Sequence, residues 1–421
     1  MDDAGESIRQ AARAKAYAMP IEEIKPADPE LFRSDTLWPY FERLRAENPV
    51  HHAVDEEAGP YWSVTRFKDI LEVDSNHQVF SSERSITLFD PEDDFHMPMF
   101  IAMDPPRHDA QRKTVSPIVS PHNLFNLEPI IRARAAKILD DLEIGEEFNW
   151  VDKVSIELTT MTLATLFDFP WEDRRKLTRW SDVATASVDS GVIESEEQRR
   201  TELFECVEYF MRLWEERKAA PPRNDLISML AHGDSTRDMD RMECLGNLVL
   251  LIVGGNDTTR NTISGSILAL NQNPDQYRKL RENPGLIPSM VSETIRYQTP
   301  LAYMRRTATQ DFQLRDKTIR KGDKVLMWYV SGNRDDEEIA DPNRYDIERE
   351  RPCHHMSFGF GIHRCVGNRL AELQLKIIWE EILARFPEVE VTGEPRRVYS
   401  SFVRGYEHLP VRIARRLQPA A

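Results

Sequence analysis

Residues 355–371 read HMSFGFGIHRCVGNRLA, a glycine-rich stretch that leads into a helical pattern ending near residue 386. This stretch delivers Cys365 to the start of the helix, directly after His363 and Arg364. A thiol at a helix N-terminus beside cationic groups is expected to have a lowered pKa and to favour the thiolate. A thiolate is a ligand for soft metals, so the stretch predicts a metal or metallo-cofactor site.

The glycines favour a broad ligand over a bare ion. Gly359, Gly361 and Gly367 leave no side chains around the sulfur, so a flat molecule could lie against the backbone there. Two alternatives stay open at this point, a structural cysteine in a tight turn and a zinc site. The zinc site would draw on residues whose spacing matches none of the usual paired-ligand patterns, namely Cys353, His354, His355, His363 and Cys365.

The pattern Phe358-x-x-Gly361-x-x-x-Cys365-x-Gly367 resembles the haem-binding signature of the cytochrome P450 monooxygenases. The resemblance spans residues 27–413 and implies a mainly α fold with small β-sheets, the cytochrome P450 fold. We expect a single large haem domain over residues 27–421, preceded by an N-terminal segment, residues 1–26. The resemblance also implies haem b as cofactor, with the Cys365 thiolate as the iron ligand and with Phe358, Gly359 and Gly367 in contact with the cofactor.

A second motif is Glu293-Thr-Ile-Arg296, whose spacing places a carboxylate and a guanidinium on one helix face. Such pairs are common on solvated surfaces. The motif also resembles the ExxR of the same family, in which the pair is buried, joins a downstream arginine and braces the haem side of the core. We therefore assign Glu293 and Arg296 a structural role and expect Arg344 to be the downstream arginine.

A third motif, residues 250–259 (LLIVGGNDTT), lies in a long apolar helical pattern where each glycine costs about 1 kcal/mol relative to alanine. Thr258 can donate to the carbonyl of Gly254, which leaves a polar notch, and Asp257 supplies a proton-carrying group. The motif is similar to the family's oxygen-activation motif, which implies catalytic roles for Asp257 and Thr258 and a cofactor contact for Gly254. The alternative is a kinked core helix.

Haem propionates require cationic partners, and arginine suits carboxylates. The pattern His108-x-x-x-Arg112 after Asp-Pro-Pro and the position of Arg306 after the ExxR helix resemble the family's propionate-binding sites. With His363, these residues are our expected propionate ligands. We interpret Arg305 as a solvated neighbour.

The irregular stretch 81–106 contains an apolar run at 97–101 and is interpreted as a binding loop. Residues 97–106, 250–265 and 355–383 resemble the bacterial branch that hydroxylates the terminal carbon of alkanes and fatty acids. Alternatives are another hydrophobic substrate, such as a terpene or steroid, and a haem-thiolate sensor that does not oxygenate. The expected substrate pocket is apolar and comprises Met99, Phe100, Leu250, Val253, Leu301, Met304 and Phe402.

The composition limits the classes of partner that the protein is expected to bind. The 421 residues include 55 Lys and Arg against 71 Asp and Glu, a net charge of −16, which disfavours nucleic acid and anionic lipid as partners. No apolar run is long enough for a membrane anchor and no secretory signal is evident, so we expect a cytoplasmic monomer. The four cysteines are too widely spread for a disulfide framework.

The chain carries no flavin, nicotinamide or iron–sulfur signature. The resemblance then implies that electrons come from a separate [2Fe–2S] ferredoxin and an NAD(P)H ferredoxin reductase, with O2 as co-substrate. Arg112, Lys113 and Arg364 would meet the ferredoxin on the thiolate side.

Apolar spacings of three and four residues predict helices over 37–45, 123–142, 155–167, 198–217, 242–270, 288–297 and 370–386. Short β-type runs predict a hairpin of 52–54 with 61–64 and further strands at 312–314, 318–319 and 324–328.

Overall fold

Helices dominate the architecture, as the spacing of apolar residues predicts. A computed structural model describes residues 3–91 and 94–417 of the chain. The α-helices in these ranges are α1 (Asp3–Ala18), α2 (Pro29–Arg33), α3 (Trp38–Glu47), α4 (Phe67–Ser75), α5 (Arg107–Val115), α6 (Pro121–Asp140), α7 (Glu157–Phe167), α8 (Arg175–Thr185), α9 (Glu196–Lys218), α10 (Leu226–His232), α11 (Arg241–Gln272), α12 (Pro274–Glu282), α13 (Ile287–Gln298), α14 (Tyr329–Gly332) and α15 (Asn368–Arg385). All seven predicted helices are present, with ends shifted by a few residues.

The strands form small sheets beside the helices. They are β1 (Val50–Asp55), β2 (Gly59–Val64), β3 (Phe80–Ser81), β4 (Glu147–Asn149), β5 (Met304–Ala308), β6 (Phe312–Leu314), β7 (Lys317–Ile319), β8 (Lys324–Met327), β9 (Glu390–Val391), β10 (Arg396–Arg397), β11 (Tyr406–His408) and β12 (Pro410–Arg412). The largest sheet has the order β1-β2-β8-β5-β3, and the others are β4-β12-β9, β10-β11 and β6-β7. The predicted hairpin is confirmed, because β1 pairs antiparallel with β2 and Val50 lies opposite Val64.

Helix α11 runs through the centre of the molecule. Its sequence is apolar or small on almost every face, which is the pattern of a fully buried helix, and α7, α8, α13 and α15 pack around it. The Asp240 carboxylate caps its first turn by accepting from the N–H groups of Met242 and Glu243, both at 2.9 Å. No helix in the described parts of the chain is long and apolar enough to cross a membrane.

The N-terminal helix packs against the rest of the molecule. In α1, Arg13 forms a bidentate contact with Glu42 of α3 at 2.7 and 2.8 Å. Sequence patterns missed α1 and several short helices, including α4, which is nine residues long, and α5, which is largely polar.

The Glu293 and Arg296 pair is buried, as predicted, with both side chains fully inaccessible to solvent. The contact is bidentate, with both N···O distances at 2.8 Å. The predicted downstream partner is wrong: the Nε of Arg349, not that of Arg344, donates to Glu293 at 3.1 Å. Tyr345 turns inward toward α13, so the preceding Arg344 side chain faces solvent and offers only its carbonyl, 3.1 Å from Arg296.

The same pair reaches the cysteine loop, residues 355–367. Arg296 Nη1 donates to the carbonyl of Asn333 at 2.8 Å. The Asn333 side chain in turn accepts from the Met356 N–H at 2.8 Å and donates to the Ser357 hydroxyl at 2.8 Å. The buried ion pair therefore anchors the beginning of the loop.

We predict that Arg349→Ala lowers the free energy of unfolding by about 3–5 kcal/mol, because it leaves part of the buried Glu293 charge unpaired. Arg344→Ala is the matched control and should change it by less than about 0.5 kcal/mol, since the Arg344 side chain is exposed. Urea unfolding of both variants measures the difference. Equal destabilisation by the two substitutions would contradict the assignment of Arg349.

Candidate active site

The cysteine loop folds tightly against α4. The N–H of Cys365 donates to the carbonyl of Phe358 at 2.8 Å. Gly359 and Gly361 both have φ of 64°, in the left-handed region. A Cβ on Gly361 would lie 2.8 Å from the Asp74 carbonyl oxygen, and one on Gly359 would lie 3.2 Å from the Asp74 carboxylate.

These contacts correct the sequence interpretation of two glycines. Gly359 and Gly361 are needed for the turn and for the close approach to α4, so they do not clear space for a ligand. Gly367 does leave open space, because a Cβ there would meet no atom within 4 Å.

Cys365 lies at an accessible position. Even so, the protein surrounding its sulfur raises the pKa of the thiol by desolvation, while the Gly367 N–H, Arg112 and Arg364 act in the opposite direction. The predicted lowering of this pKa is therefore wrong for the protein alone. A bound metal ion would deprotonate the thiol directly.

The zinc alternative is not supported by the geometry. Cys353 is exposed and contacts the Ser292 hydroxyl at 3.6 Å, whereas the ring of His354 stacks on Phe67. In the described ranges no three His, Cys, Asp or Glu side chains come together as a metal-binding group.

The notch predicted in α11 is present. The Thr258 hydroxyl donates to the Gly254 carbonyl at 3.2 Å. Gly254 is exposed although the helix is largely buried, and a Cβ on it would meet nothing within 4 Å. Gly255 has a different role, because a Cβ there would lie 2.6 Å from the Leu163 side chain of α7. One glycine thus opens the helix face and the other allows close packing.

Asp257 faces α8 and is buried. Its carboxylate accepts from the Ser181 hydroxyl at 2.7 Å and lies 3.1 Å from Arg260, which also pairs with Asp182 at 2.6 Å. Burial raises the pKa of Asp257, Arg260 lowers it and Asp182 raises it further. The side chain of Asp182 is 31% exposed, so this chain of polar groups runs from the α11 core toward solvent.

The expected propionate ligands include two buried imidazoles. The rings of His108 and His363 are buried and lie 4.3 Å apart, and neither ring nitrogen of His363 nor the Nε2 of His108 has a hydrogen-bond partner. Burial, together with the charges of Arg306 and His108, lowers the pKa of His363 to about 2. Arg306 is buried as well and acts electrostatically on the His363 ring.

Arg112 donates to the carbonyl of Arg364, and its charge, like that of Arg306, helps to lower the pKa of His363. It lines a cavity of about 340 Å³ beside Cys365, together with Arg364, Arg369 and Asn368. The interpretation of Arg305 is wrong, because it is 1% exposed and pairs with Asp90 at 2.7 Å. Its strand, β5, lies between β8 and β3, and this position removes the side chain from solvent.

The sequence interpretation missed Ser82 and Asp104. Asp104 accepts from the Ser82 N–H at 3.0 Å, and its carbonyl accepts from the His108 N–H at 3.1 Å. The Ser82 hydroxyl is buried and has no hydrogen-bond partner. The Asp-Pro-Pro turn was the available signal for Asp104, whereas nothing in the sequence marks Ser82.

The residues present fit a haem. A thiol, an open face at Gly254 and Gly367, and buried imidazole nitrogens without partners are what the iron, the ring and the propionates of that group would require.

The expected substrate residues lie on several elements of the fold. Phe100 is buried over α11, where its N–H donates to Asn247 at 2.9 Å, and Leu250 and Val253 follow on the same helix. Leu301 and Phe402 come together through the hydrogen bond from the Ala302 N–H to the Phe402 carbonyl at 2.9 Å. All seven except Phe100 are half-buried, namely Met99, Leu250, Val253, Leu301, Met304 and Phe402.

Comparison with known proteins yields several matches. Residues 285–404 match the cytochrome P450 family model. Linalool 8-monooxygenase of Pseudomonas putida is 35% identical over 91% of this chain and 97% of its own length. A methyl-branched lipid omega-hydroxylase of Mycobacterium tuberculosis is 30% identical over 96% of this chain and 99% of its own length.

Solved structures of similar proteins agree with these sequence matches. Cytochrome P450-153 from Novosphingobium aromaticivorans superposes with a TM-score of 0.86 at 45% identity, covering 92% of this chain and 98% of that one. CYP153D17 from Sphingomonas sp. PAMC 26605 has the same TM-score and coverage at 49% identity. The chain therefore belongs to the cytochrome P450 family and is a haem-thiolate monooxygenase.

Proposed function

We propose that this P450 inserts one oxygen atom from O2 into the terminal C–H of medium-chain alkanes or fatty acids. The observation that carries the proposal is the 45–49% identity to two P450-153 structures over almost the whole chain. It agrees with the resemblance of residues 97–106, 250–265 and 355–383 to terminal hydroxylases. One relative is named as an omega-hydroxylase of methyl-branched lipids, and this name also specifies a chain end.

A terpene is the second candidate substrate. The relative of 35% identity is named for linalool, which favours an oxygenated isoprenoid. The expected pocket residues are apolar in either case, and none of them supplies a cation for a carboxylate.

Several residues would hold the cofactor. We assign the Cys365 thiolate to the iron, and His108, Arg112, Arg306 and His363 to the propionates. Phe358, Gly359 and Gly367 belong to the loop that delivers Cys365, and Gly254 offers the open face of α11. When bound, the haem supplies O2 binding and activation.

Two side chains of α11 then take part in proton delivery. Thr258 holds its hydroxyl at the notch beside Gly254, where it can orient a water molecule. Asp257 connects the helix to Arg260 and Asp182 near solvent, and this chain of polar groups offers protons a route into the core.

Electrons come from separate proteins in this proposal. A [2Fe–2S] ferredoxin, itself reduced by an NAD(P)H ferredoxin reductase, would dock on the face that carries Arg112, Lys113 and Arg364. Arg112 and Arg364 line the 340 Å³ cavity next to Cys365, and their charge is local although the whole chain carries −16.

We expect Cys365→Ala to lose haem or to retain it without oxygenase activity. The exposed Cys353→Ala is the matched control and should retain the strongly red-shifted Soret band of the reduced carbonyl complex. A Cys365→Ala protein that keeps this band and full turnover would refute the assignment.

We expect Thr258→Ala to keep haem, substrate binding and reductant consumption but to release much of the reduced oxygen as hydrogen peroxide. Proton delivery decides whether reduced oxygen is cleaved or released, and this variant loses the hydroxyl that orients the water. Thr262→Ala is the control, since its hydroxyl makes the same backbone contact one turn later. The ratio of alcohol formed to reductant consumed measures coupling, and a fully coupled Thr258→Ala would contradict the role.

Asp257→Asn should instead slow turnover, by about 10²-fold or more, because the connection to solvent is cut while Thr258 still orders the notch. Turnover at saturating substrate measures this effect. A parent-like rate would leave α11 as a kinked core helix only.

We expect medium-chain linear alkanes or fatty acids to bind, which a substrate-binding difference spectrum detects. We expect them to be converted mainly to the terminal alcohol. Analysis of products across a homologous series decides this. Chiefly internal alcohols, or binding of terpenes alone, would favour the second candidate.

A further inference from the structure

One buried carboxylate is shared by three parts of the chain that meet at the cysteine loop. Asp74 lies in the last turn of α4 and is 2% exposed. Its Oδ1 accepts from Arg306 Nη2 at 2.8 Å. Its Oδ2 accepts from the Tyr329 hydroxyl at 2.9 Å and from the backbone N–H of Phe360 at 2.8 Å. Both oxygens of the carboxylate are thus engaged.

Two of these contacts are with groups that the proposed function assigns to the haem site. Phe360 lies between the two left-handed glycines of the cysteine loop, so its N–H fixes the loop relative to α4. Arg306 is an expected propionate ligand and is itself 2% exposed. The backbone of Asp74 also lies close to the loop, because a Cβ on Gly361 would clash with the Asp74 carbonyl.

We propose that Asp74 is a positioning residue of the haem site, which holds the cysteine loop and aims Arg306 at the propionates. This inference rests on the proposed haem-thiolate function. Asp74 has no role in proton delivery, since it lies on α4 and bonds to none of the α11 groups. It acts through the residues it orients.

Asp74→Asn tests the proposal with almost no change in volume. An amide offers one acceptor oxygen and an N–H donor group, so it cannot accept from Arg306, Tyr329 and Phe360 together. It also removes the negative charge opposite Arg306. The matched control is Asp69→Asn, because Asp69 is a buried carboxylate of the same helix that pairs with Arg315 at 2.6 Å, away from the loop.

Three readouts apply to the purified haem protein. In Asp74→Asn, the haem reduction potential should shift to more positive values, because a negative charge near the cofactor opposes electron addition. The red-shifted carbonyl band should be partly replaced by the band of thiolate-free haem. Transfer of haem to apomyoglobin should accelerate by about tenfold, the effect expected on losing a hydrogen bond to a charged group. Asp69→Asn should match the parent protein in all three.

Tyr329→Phe distinguishes the effect of the Asp74 charge from the effect of the hydrogen bonds that anchor the loop. It removes one donor to Asp74 and leaves the charges in place, so haem release should rise while the potential stays at the parent value. If Asp74→Asn yields no haem protein, Tyr329→Phe carries the test through its haem release and carbonyl spectrum, each compared with Asp69→Asn.

The inference would be overturned if Asp74→Asn had the same potential, carbonyl spectrum and haem release as Asp69→Asn. It would also be overturned if Tyr329→Phe released haem at the same rate as Asp69→Asn. A parent protein that lacks the red-shifted carbonyl band would refute the haem-thiolate assignment itself. The two failures are therefore distinguishable.

Discussion

The buried ion pair of Glu293 and Arg296 is the interaction on which the haem side of the molecule depends. Both side chains are withdrawn from solvent, and each polar atom of the guanidinium is matched by a carboxylate or a carbonyl oxygen. Removing two charges from water is unfavourable unless the geometry satisfies them fully. The segment around residues 333–349 must therefore fold as it does, and through Asn333 it sets where the cysteine loop begins.

A second buried carboxylate holds that loop at Phe360. Glu293 acts on Met356 through Arg296 and Asn333, and Asp74 acts directly on Phe360. The loop is thus fastened before and after the turn at Gly359, which leaves Cys365 little freedom to move. Preorganisation of this kind matters for a cofactor ligand, because small displacements of the first contacts change binding and electronic properties.

The central helix combines rigidity with a local opening. Gly255 allows Leu163 to pack closely, while Gly254 opens a face where the Thr258 hydroxyl bonds to the helix backbone. Asp257, one residue earlier than Thr258, points to α8 instead and joins Arg260 and Asp182. Adjacent residues on a helix are about 100° apart, so neighbouring positions can serve the interior and the route to solvent separately.

Local patterns in the sequence determined the long helices, the β1–β2 hairpin, the pairing of Glu293 with Arg296 and the hydrogen bond from Thr258 to Gly254. Each of these depends on spacing within one element, where helix or strand geometry fixes which side chains meet. The sequence also carried the resemblance to the family to which the chain belongs. It did not determine which arginine completes the ion pair, because Arg344 and Arg349 lie in an irregular segment without a regular spacing.

Contacts between distant segments were decided by the tertiary structure alone. Asp74 lies 286 residues from Phe360 and 232 from Arg306, so no local pattern relates them. The burial of Arg305 follows from its place in the middle of a sheet, and the raised pKa of the Cys365 thiol follows from the protein packed around it. Desolvation and close approach depend on every neighbouring segment at once, which is why they appear only when the chain has folded.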